Sequence, residues 1–367
     1  MTRIWEGDKE LDVYEAAQAL KSGKLVAFPT ETVYGLGANA LDEQAVLRVF
    51  EAKGRPQDNP LIVHIAAYKD LDDLVQKPLP PFVQLLIEKF WPGPLSLVLK
   101  LKESSPIAQA VTGGQNTVAI RMPSHPIALA LLSAAKVPVA APSANTSGKP
   151  SPTHCLHVLS DLQGKIDGIV DGGETCGIGL ESTVLDCSGE RLSILRPGAV
   201  TAEQVEAVTK MPVVIFSSEG NNQKEEMKIP RAPGMKYRHY APKAPIDLVN
   251  GGLEQLQLRI SEWKRQGKRV GLLAVKELGQ HTQADVFISC GQQNCLESYA
   301  RELYRALRAF DDDPLTVDII VVQAVEETGI GVAIMNRLRK AASTGFYMLT
   351  PSELPVNNDG ETRSQPL

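Results

Sequence analysis

The chain alternates short apolar runs with amphipathic stretches, and the two periods separate cleanly. Helical spacing over Glu10–Leu20, Ala45–Ala52 and Pro126–Leu132 predicts helices. Compact aliphatic runs predict strands at Leu25–Phe28, Leu61–Ile65, Leu95–Leu101, Thr117–Arg121, Val137–Ala141, Gly168–Val170 and Ser182–Asp186. Strands outnumber helices over residues 1–210, so a mixed, twisted sheet fits better than a strict βαβ array. Residues 211–245 change character: Ser217–Glu226 is polar, and prolines follow at 230, 233, 242 and 245. That composition predicts a linker, yet Arg231–Tyr240 is too aromatic and basic for an inert spacer. A lid over the first domain is the expectation, with a plain tether as the alternative. From 246 to 345 the runs Ile246–Val249, Val270–Ala274, Val286–Ser289 and Val317–Val322 alternate with helical segments. One of these carries a stripe of Leu296, Tyr299, Ala300, Leu303, Tyr304, Leu307 and Phe310. A small parallel, Rossmann-like α/β domain is expected there, followed by a polar, frayed tail at 346–367.

Composition narrows the class. At 367 residues, about two or three domains are expected. A hydrophobic share of 43% and a charged share of 22% describe a globular chain with material for a core. The net charge of -5 argues against broad nucleic-acid binding but leaves room for a local basic cleft. Cysteines 155, 176, 187, 290 and 295 form no CxxC pair, which fits free thiols in a reducing compartment. The opening residues are too polar for a secretory leader, and no run of roughly 18 apolar residues exists to span a bilayer. A cytoplasmic protein without membrane contact is expected.

Chemistry-bearing residues concentrate at strand ends. Thr30, Glu31, Thr32 and Tyr34 follow the first apolar run, with Gly35 and Gly37 expected to permit φ > 0 and close ligand approach. Capping of the helix that follows is the plainer, lesser alternative for the hydroxyls. Lys53 and Arg55 flank a glycine, Asn59-Pro60 follows, and His64 interrupts an apolar strand. Surface solvation and a satisfied core histidine are the plain alternatives. Arg121 and Arg196 each end an apolar run, where a guanidinium needs a carboxylate, a phosphate or an internal salt bridge. The segment from Ala141 through Ser143, Asn145 and Ser151 to Thr153 is either a turn or an anion-binding nest of backbone N–H groups. No GxxxxGK[ST], GxSxG or HExxH motif occurs, so a nucleotide here needs an unusual site and no protein nucleophile declares itself.

Seven ordered segments, PTETVYGLGANA, KGRPxxNPLIVHI, WPGPLSLVL, TVAIRMP, APSANTSGKPSPT, ESTVLD and ILRPGAV, resemble the threonylcarbamoyl-adenylate synthase family. APGMKYRHYAP and GIGVAIMNRLRKAAS extend the resemblance to its long two-domain form. The resemblance implies a YrdC-like twisted mixed sheet with a concave cleft at 1–210, a linker or lid at 211–245 and a smaller Rossmann-like domain at 246–345. It implies that Lys53, Arg55, Asn59, Thr117, Ser143, Asn145, Ser151 and Arg196 line the ATP end, with Lys53 and Arg55 catalytic. It places Thr32, His64, Arg121, Ala141 and Ser182 around threonine, with Tyr237 and His239 closing over ATP. The implied reaction joins L-threonine, bicarbonate or CO₂, and ATP into threonylcarbamoyl-AMP, diphosphate and water. Mg²⁺ would arrive on the ATP phosphates with no metal site in the protein, and the product would pass to the machinery that installs t⁶A at adenosine 37 of tRNA. Two rivals remain: an RNA-binding cleft, weak or otherwise, and a carbamoyltransferase using carbamoyl phosphate.

Overall fold

The structure, a computed structural model, describes residues 1–173, 176–216, 240–312 and 314–342. In chain order the first unit contains β1 (Arg3–Glu6), α1 (Glu10–Lys21), β2 (Val26–Phe28), β3 (Gly35–Asn39), α2 (Glu43–Lys53) and β4 (Ile62–His64). There follow α3 (Pro81–Phe90), β5 (Leu95–Lys100), α4 (Gln109–Thr112), β6 (Thr117–Arg121), α5 (Pro126–Ala135) and β7 (Val139–Ala140). The unit ends with α6 (Cys155–Leu162), β8 (Gly168–Asp171), β9 (Thr183–Asp186), β10 (Leu192–Arg196), α7 (Ala202–Thr209) and β11 (Val213–Ile215). The second unit runs β12 (Ile246–Val249), α8 (Leu253–Arg265), β13 (Val270–Ala274), β14 (Val286–Ser289), α9 (Leu296–Ala309), β15 (Ile319–Gln323) and α10 (Gly331–Ala341).

Helix boundaries follow local chemistry. Asp42 caps α2 by accepting from the Gln44 and Ala45 amides, and Gly54 ends it at φ 60°. Pro126 begins α5 behind His125, whose Nδ1 accepts from the Ile127 amide. Thr201 and Gln204 close a reciprocal capping box on α7.

The first unit is one sheet in the order β1-β8-β2-β3-β7-β4-β6-β5-β9-β10-β11. Parallel and antiparallel neighbours are mixed: β4 runs parallel to β6, while β3 and β4 both run antiparallel to β7. This is the mixed sheet expected from the excess of strands. β11 lies within the 211–245 segment and extends that sheet beside β10. The second unit is a parallel sheet in the order β12-β15-β13-β14, the small parallel domain expected from its alternating runs. The residues from 343 onward, including the expected tail, lie outside the described residues.

The two units share packing. Val33 and Leu180 of the first unit belong to the same buried cluster as Tyr299, Leu303 and Tyr304 of α9. Polar contacts cross the same seam: Arg308 pairs with Asp161 at 2.8 Å, and the Arg301 Nε donates to the Gly177 carbonyl at 3.0 Å. Among the described residues, no helix is long and apolar enough to cross a membrane.

Candidate functional site

A single cavity opens where the ends of β4, β6 and β10 meet the loops before β3, after β7 and before β9. Register explains the first part of this convergence. His64 and Arg121 are partners at the ends of the parallel pair β4 and β6, so both reach one rim of the sheet. Arg196 arrives by another device. The β9–β10 ladder shifts register between Ile194 and Arg196, so Arg196 rather than Leu195 pairs with Val184. An extra residue of this kind bends a strand and re-aims its side chains. Arg196 consequently donates through Nε and Nη2 to the Ser182 carbonyl, at 3.1 and 3.0 Å, and through Nη2 to the Ser182 hydroxyl at 3.1 Å.

Arg121 is 3% exposed and held on three sides. Its Nε donates to the Gly93 carbonyl at 3.2 Å and its Nη1 to the Thr32 hydroxyl at 3.0 Å. Its Nη2 lies 2.6 Å from Glu31 Oε1. Burial works to raise the Glu31 pKa, but the charge and hydrogen bond of Arg121 outweigh it, and the carboxyl ends below its usual range. His64 has the opposite fate: burial, aided by the Arg121 charge, pushes it down to about 3. It is therefore neutral at physiological pH and adds no second cation beside Arg121.

Ten of the residues that the resemblance assigns to a ligand line this cavity. Thr32, Arg55, His64, Arg121, Ala141, Ser143, Asn145, Ser151, Ser182 and Arg196 are all in its wall. Lys53 is not in the wall. It is 2% exposed, and its Nζ donates to the carbonyls of Ser143 and Asn145 from behind. Asn59 is also buried outside the wall, its side-chain amide without a hydrogen-bond partner among the described residues. Thr117 begins β6, the strand whose far end carries Arg121, and lines a separate cleft with Asn116, Asp186 and Ser188. Tyr237 and His239 lie outside the described residues.

The glycine expectation needs correction. Gly35 and Gly37 sit in β3 and are absent from the positive-φ positions. Their requirement is space: a Cβ on Gly37 would stand 2.9 Å from both Phe28 and Val139, and one on Gly35 would stand 3.3 Å from the Ala141 Cβ.

Glu181, Lys149 and Tyr240, to which the sequence assigned no ligand of their own, also line the cavity. Glu181 accepts from Ser151 Oγ, from the Tyr304 hydroxyl at 2.9 Å and from Arg337 Nε at 2.9 Å. Burial opposes its ionisation, but Arg337 and Arg196 hold the carboxyl down to about 2. The available signal was an acid set directly before an apolar strand, where only a buried cation makes it tolerable. The arrangement as a whole offers one anion-seeking guanidinium in a neutral, hydroxyl-lined pocket, and a second cationic region along Arg55 and Arg196. That suits a small amphoteric molecule beside a polyanion.

Comparison with known proteins places these features in a family. A family model described as "Telomere recombination" matches residues 18–198, and one described as "Threonylcarbamoyl-AMP synthase, C-terminal domain" matches residues 200–343. A Bacillus subtilis protein named threonylcarbamoyl-AMP synthase is 51% identical over 330 residues, covering 90% of this chain and 92% of its own length. A Pyrococcus abyssi protein of the same name is 47% identical, with 92% and 96% covered. The crystal structure of P. abyssi Sua5 complexed with L-threonine superposes with a TM-score of 0.84 at 46% identity, covering 93% of this chain and 97% of that one.

Proposed function

The chain belongs to the threonylcarbamoyl-AMP synthase family, and on that premise we propose that its cleft joins L-threonine, bicarbonate and ATP into threonylcarbamoyl-AMP, diphosphate and water. It is a nucleotidyltransferase, and its product serves tRNA t⁶A modification. The observation that carries this reading is the convergence of Arg121, Thr32 and His64 with Arg55, Ser143 and Arg196 on one cavity.

The reading assigns threonine to the Arg121 side. The guanidinium takes the amino-acid carboxylate, with Thr32, neutral His64, Ala141 and Ser182 around it. The P. abyssi relative crystallised with L-threonine supports threonine as the amino-acid substrate. The nucleotide then lies along Arg55, Ser143, Asn145, Ser151 and Arg196. Lys53 acts at one remove, fixing the loop that presents Ser143 and Asn145. Tyr237 and His239 are proposed to close over the nucleotide, while Asn59 and Thr117 stay in the proposal from the family resemblance alone.

The chemistry asks for positioning more than for a nucleophile. Bicarbonate takes up a proton and loses water to give CO₂, and the threonine amine adds to this CO₂ and loses a proton, giving a carbamate. A carbamate oxygen attacks the α-phosphorus of ATP, the bond to the β-phosphate oxygen breaks, and diphosphate leaves. Holding both reactants in one cavity supplies effective molarity. Arg55 and Arg196 stabilise charge developing on the leaving diphosphate. Mg²⁺ is proposed to travel on the phosphates, where it would neutralise their charge. Among the described residues no group of three or more His, Cys, Asp or Glu side chains is arranged to hold a metal, and both oxygens of Glu181 are engaged. Phosphate oxygens and water are the ligands Mg²⁺ ordinarily takes beside a nucleotide. The proposal extends to a cytoplasmic setting and to hand-over of the product to a tRNA-modifying partner.

Incubation with ATP, Mg²⁺, bicarbonate and labelled threonine, resolved by mass, is the direct test. Threonylcarbamoyl-AMP and diphosphate are expected. RNA retention that weakens steeply with salt, without adenylate formation, would overturn the reading in favour of an RNA-binding cleft. Turnover of carbamoyl phosphate in the absence of ATP and bicarbonate would overturn it in favour of a carbamoyltransferase.

A further inference from the structure

Glu181 and Arg196 present a problem that the second unit solves. Glu181 directly precedes Ser182, and Ser182 holds Arg196 through both its carbonyl and its hydroxyl. The carboxylate and the guanidinium are 6% and 5% exposed and line the same cavity. Two such groups buried together ordinarily pair directly, because a fork-to-fork bond is the strongest arrangement open to them. Among the described residues, however, no hydrogen bond or ion pair joins Glu181 to Arg196. The Glu181 oxygens turn to Ser151 and, across the seam, to Tyr304 of α9 and Arg337 of α10.

We propose that Arg337 and Tyr304 are positioning residues through which the second unit holds the Glu181 carboxylate away from Arg196, leaving Arg196 available to the nucleotide triphosphate. The proposal rests on the reading of this cleft as an ATP site. Arg337 is 0% exposed, its ion-pair partner is Glu181, and its guanidinium lies 5.4 Å from the Tyr240 ring centroid. Tyr240 in turn stacks on Tyr304 with ring centroids 5.4 Å apart. A buried cation without solvent contact is costly unless its charge is answered, and here Glu181 answers it. Without Arg337, Glu181 loses the ion-pair partner it has among the described residues, and the cation beside it in the cavity wall that could replace it is Arg196. A carboxylate drawn to Arg196 would occupy the guanidinium and repel the incoming phosphates. The second unit thus acts on the cleft through charge, in addition to packing against it.

The test compares full-length wild type with Arg337→Met, Tyr304→Phe and the double variant Glu181→Gln/Arg337→Met. Calorimetry measures a non-hydrolysable ATP analogue and L-threonine separately, and steady-state assays give the two KM values. Arg337→Met should weaken nucleotide binding about tenfold or more while threonine binding stays within about twofold. Tyr304→Phe removes one hydroxyl without opening a large void, and should shift nucleotide binding in the same direction by about two- to threefold. The double variant should regain most of the lost nucleotide affinity, because glutamine brings no charge to Arg196. Parallel loss of nucleotide and threonine binding would overturn the proposal, and so would a double variant as weak as Arg337→Met. Should Arg337→Met not fold, unchanged nucleotide affinity in Tyr304→Phe would overturn it alone. A wild-type protein that bound neither ligand would instead overturn the ATP reading itself.

Discussion

Arg121 Nη2 lies 2.6 Å from Glu31 Oε1, so the guanidinium assigned to a substrate carboxylate already holds one from its own chain. Glu31 is not in the cavity wall, whereas Arg121 is, which places the acid behind the arginine as seen from the substrate side. On the proposed assignment, an arriving threonine carboxylate would meet a cation whose charge is partly answered.

Glu31→Gln should separate orientation from charge. The amide keeps a hydrogen-bond acceptor for Arg121 but removes the negative charge that competes with the substrate. The empty protein should lose stability, since breaking a buried pair at one partner typically costs about 3–5 kcal/mol. Threonine should then restore more of it than in wild type, so its dissociation constant falls and the melting-temperature rise at saturation grows. Weaker threonine binding with an unchanged melting temperature for the empty protein would refute this account.

The sequence exposed the strand ends but not what stands behind them. Thr32, His64, Arg121 and Arg196 were legible because polar groups ending apolar runs are conspicuous. The role of Lys53 was not, since a lysine that braces two carbonyls and one that meets a phosphate have the same sequence signature. β3 was not legible as a strand because it carries two glycines, Gly35 and Gly37, whose strand propensity is low. Pairing with β2 holds it as a strand, and the glycine at 37 leaves room for Phe28 and Val139. The contribution of Tyr304 and Arg337 was illegible for a different reason: they lie 123 and 156 residues from Glu181, and no periodicity encodes that meeting.

Lys53→Met tests the brace. The variant keeps the apolar stem but loses both carbonyl contacts to the loop at Ser143 and Asn145. Adenylate formation should fall at least about tenfold, equivalent to about 1.4 kcal/mol in the barrier. Hydrogen exchange should also quicken at the Ser147 amide, which donates to the Lys53 carbonyl at 2.8 Å. A lower rate with unchanged exchange at Ser147 would mean that Lys53 meets the substrate directly.

Gly179→Ala should loosen the seam between the units. Gly179 has φ +79°, and a Cβ there would stand 2.4 Å from the Arg301 Cα and 2.6 Å from the Ala300 carbonyl oxygen. The backbone conformation alone costs about 1–3 kcal/mol for a residue with a side chain. The clash with the α9 backbone adds to this, because a helix backbone does not yield as a side-chain tip does. Limited proteolysis should cut the variant faster than wild type, and its melting temperature should fall. Normal stability with a normal rate would show that α9 does not need this close approach.

Acid should destabilise the protein in two successive windows. Burial lowers His64 to about 3, and burial followed by the Arg308 charge lowers His157 to about 4, against an ordinary value of 6.5. Both are neutral when folded, and the His157 Nδ1 accepts from the Thr153 amide, a bond that protonation would break. For depressed groups the stabilisation is complete above the unfolded value and is lost as pH falls toward the folded one. Between about pH 6.5 and 4 the unfolded chain therefore takes up about two protons that the folded chain refuses. His125, also lowered by burial, adds in the same direction. Glu181, held at about 2, acts below this window, and its contribution fades from about pH 4.5 downward. Urea denaturation at half-unit pH steps should show stability falling from pH 6.5, with His64→Gln removing about one proton from the slope between pH 6 and 4.5. A slope that does not change in that variant would mean His64 is protonated in the folded protein, and with it the neutral pocket beside Arg121 would be lost.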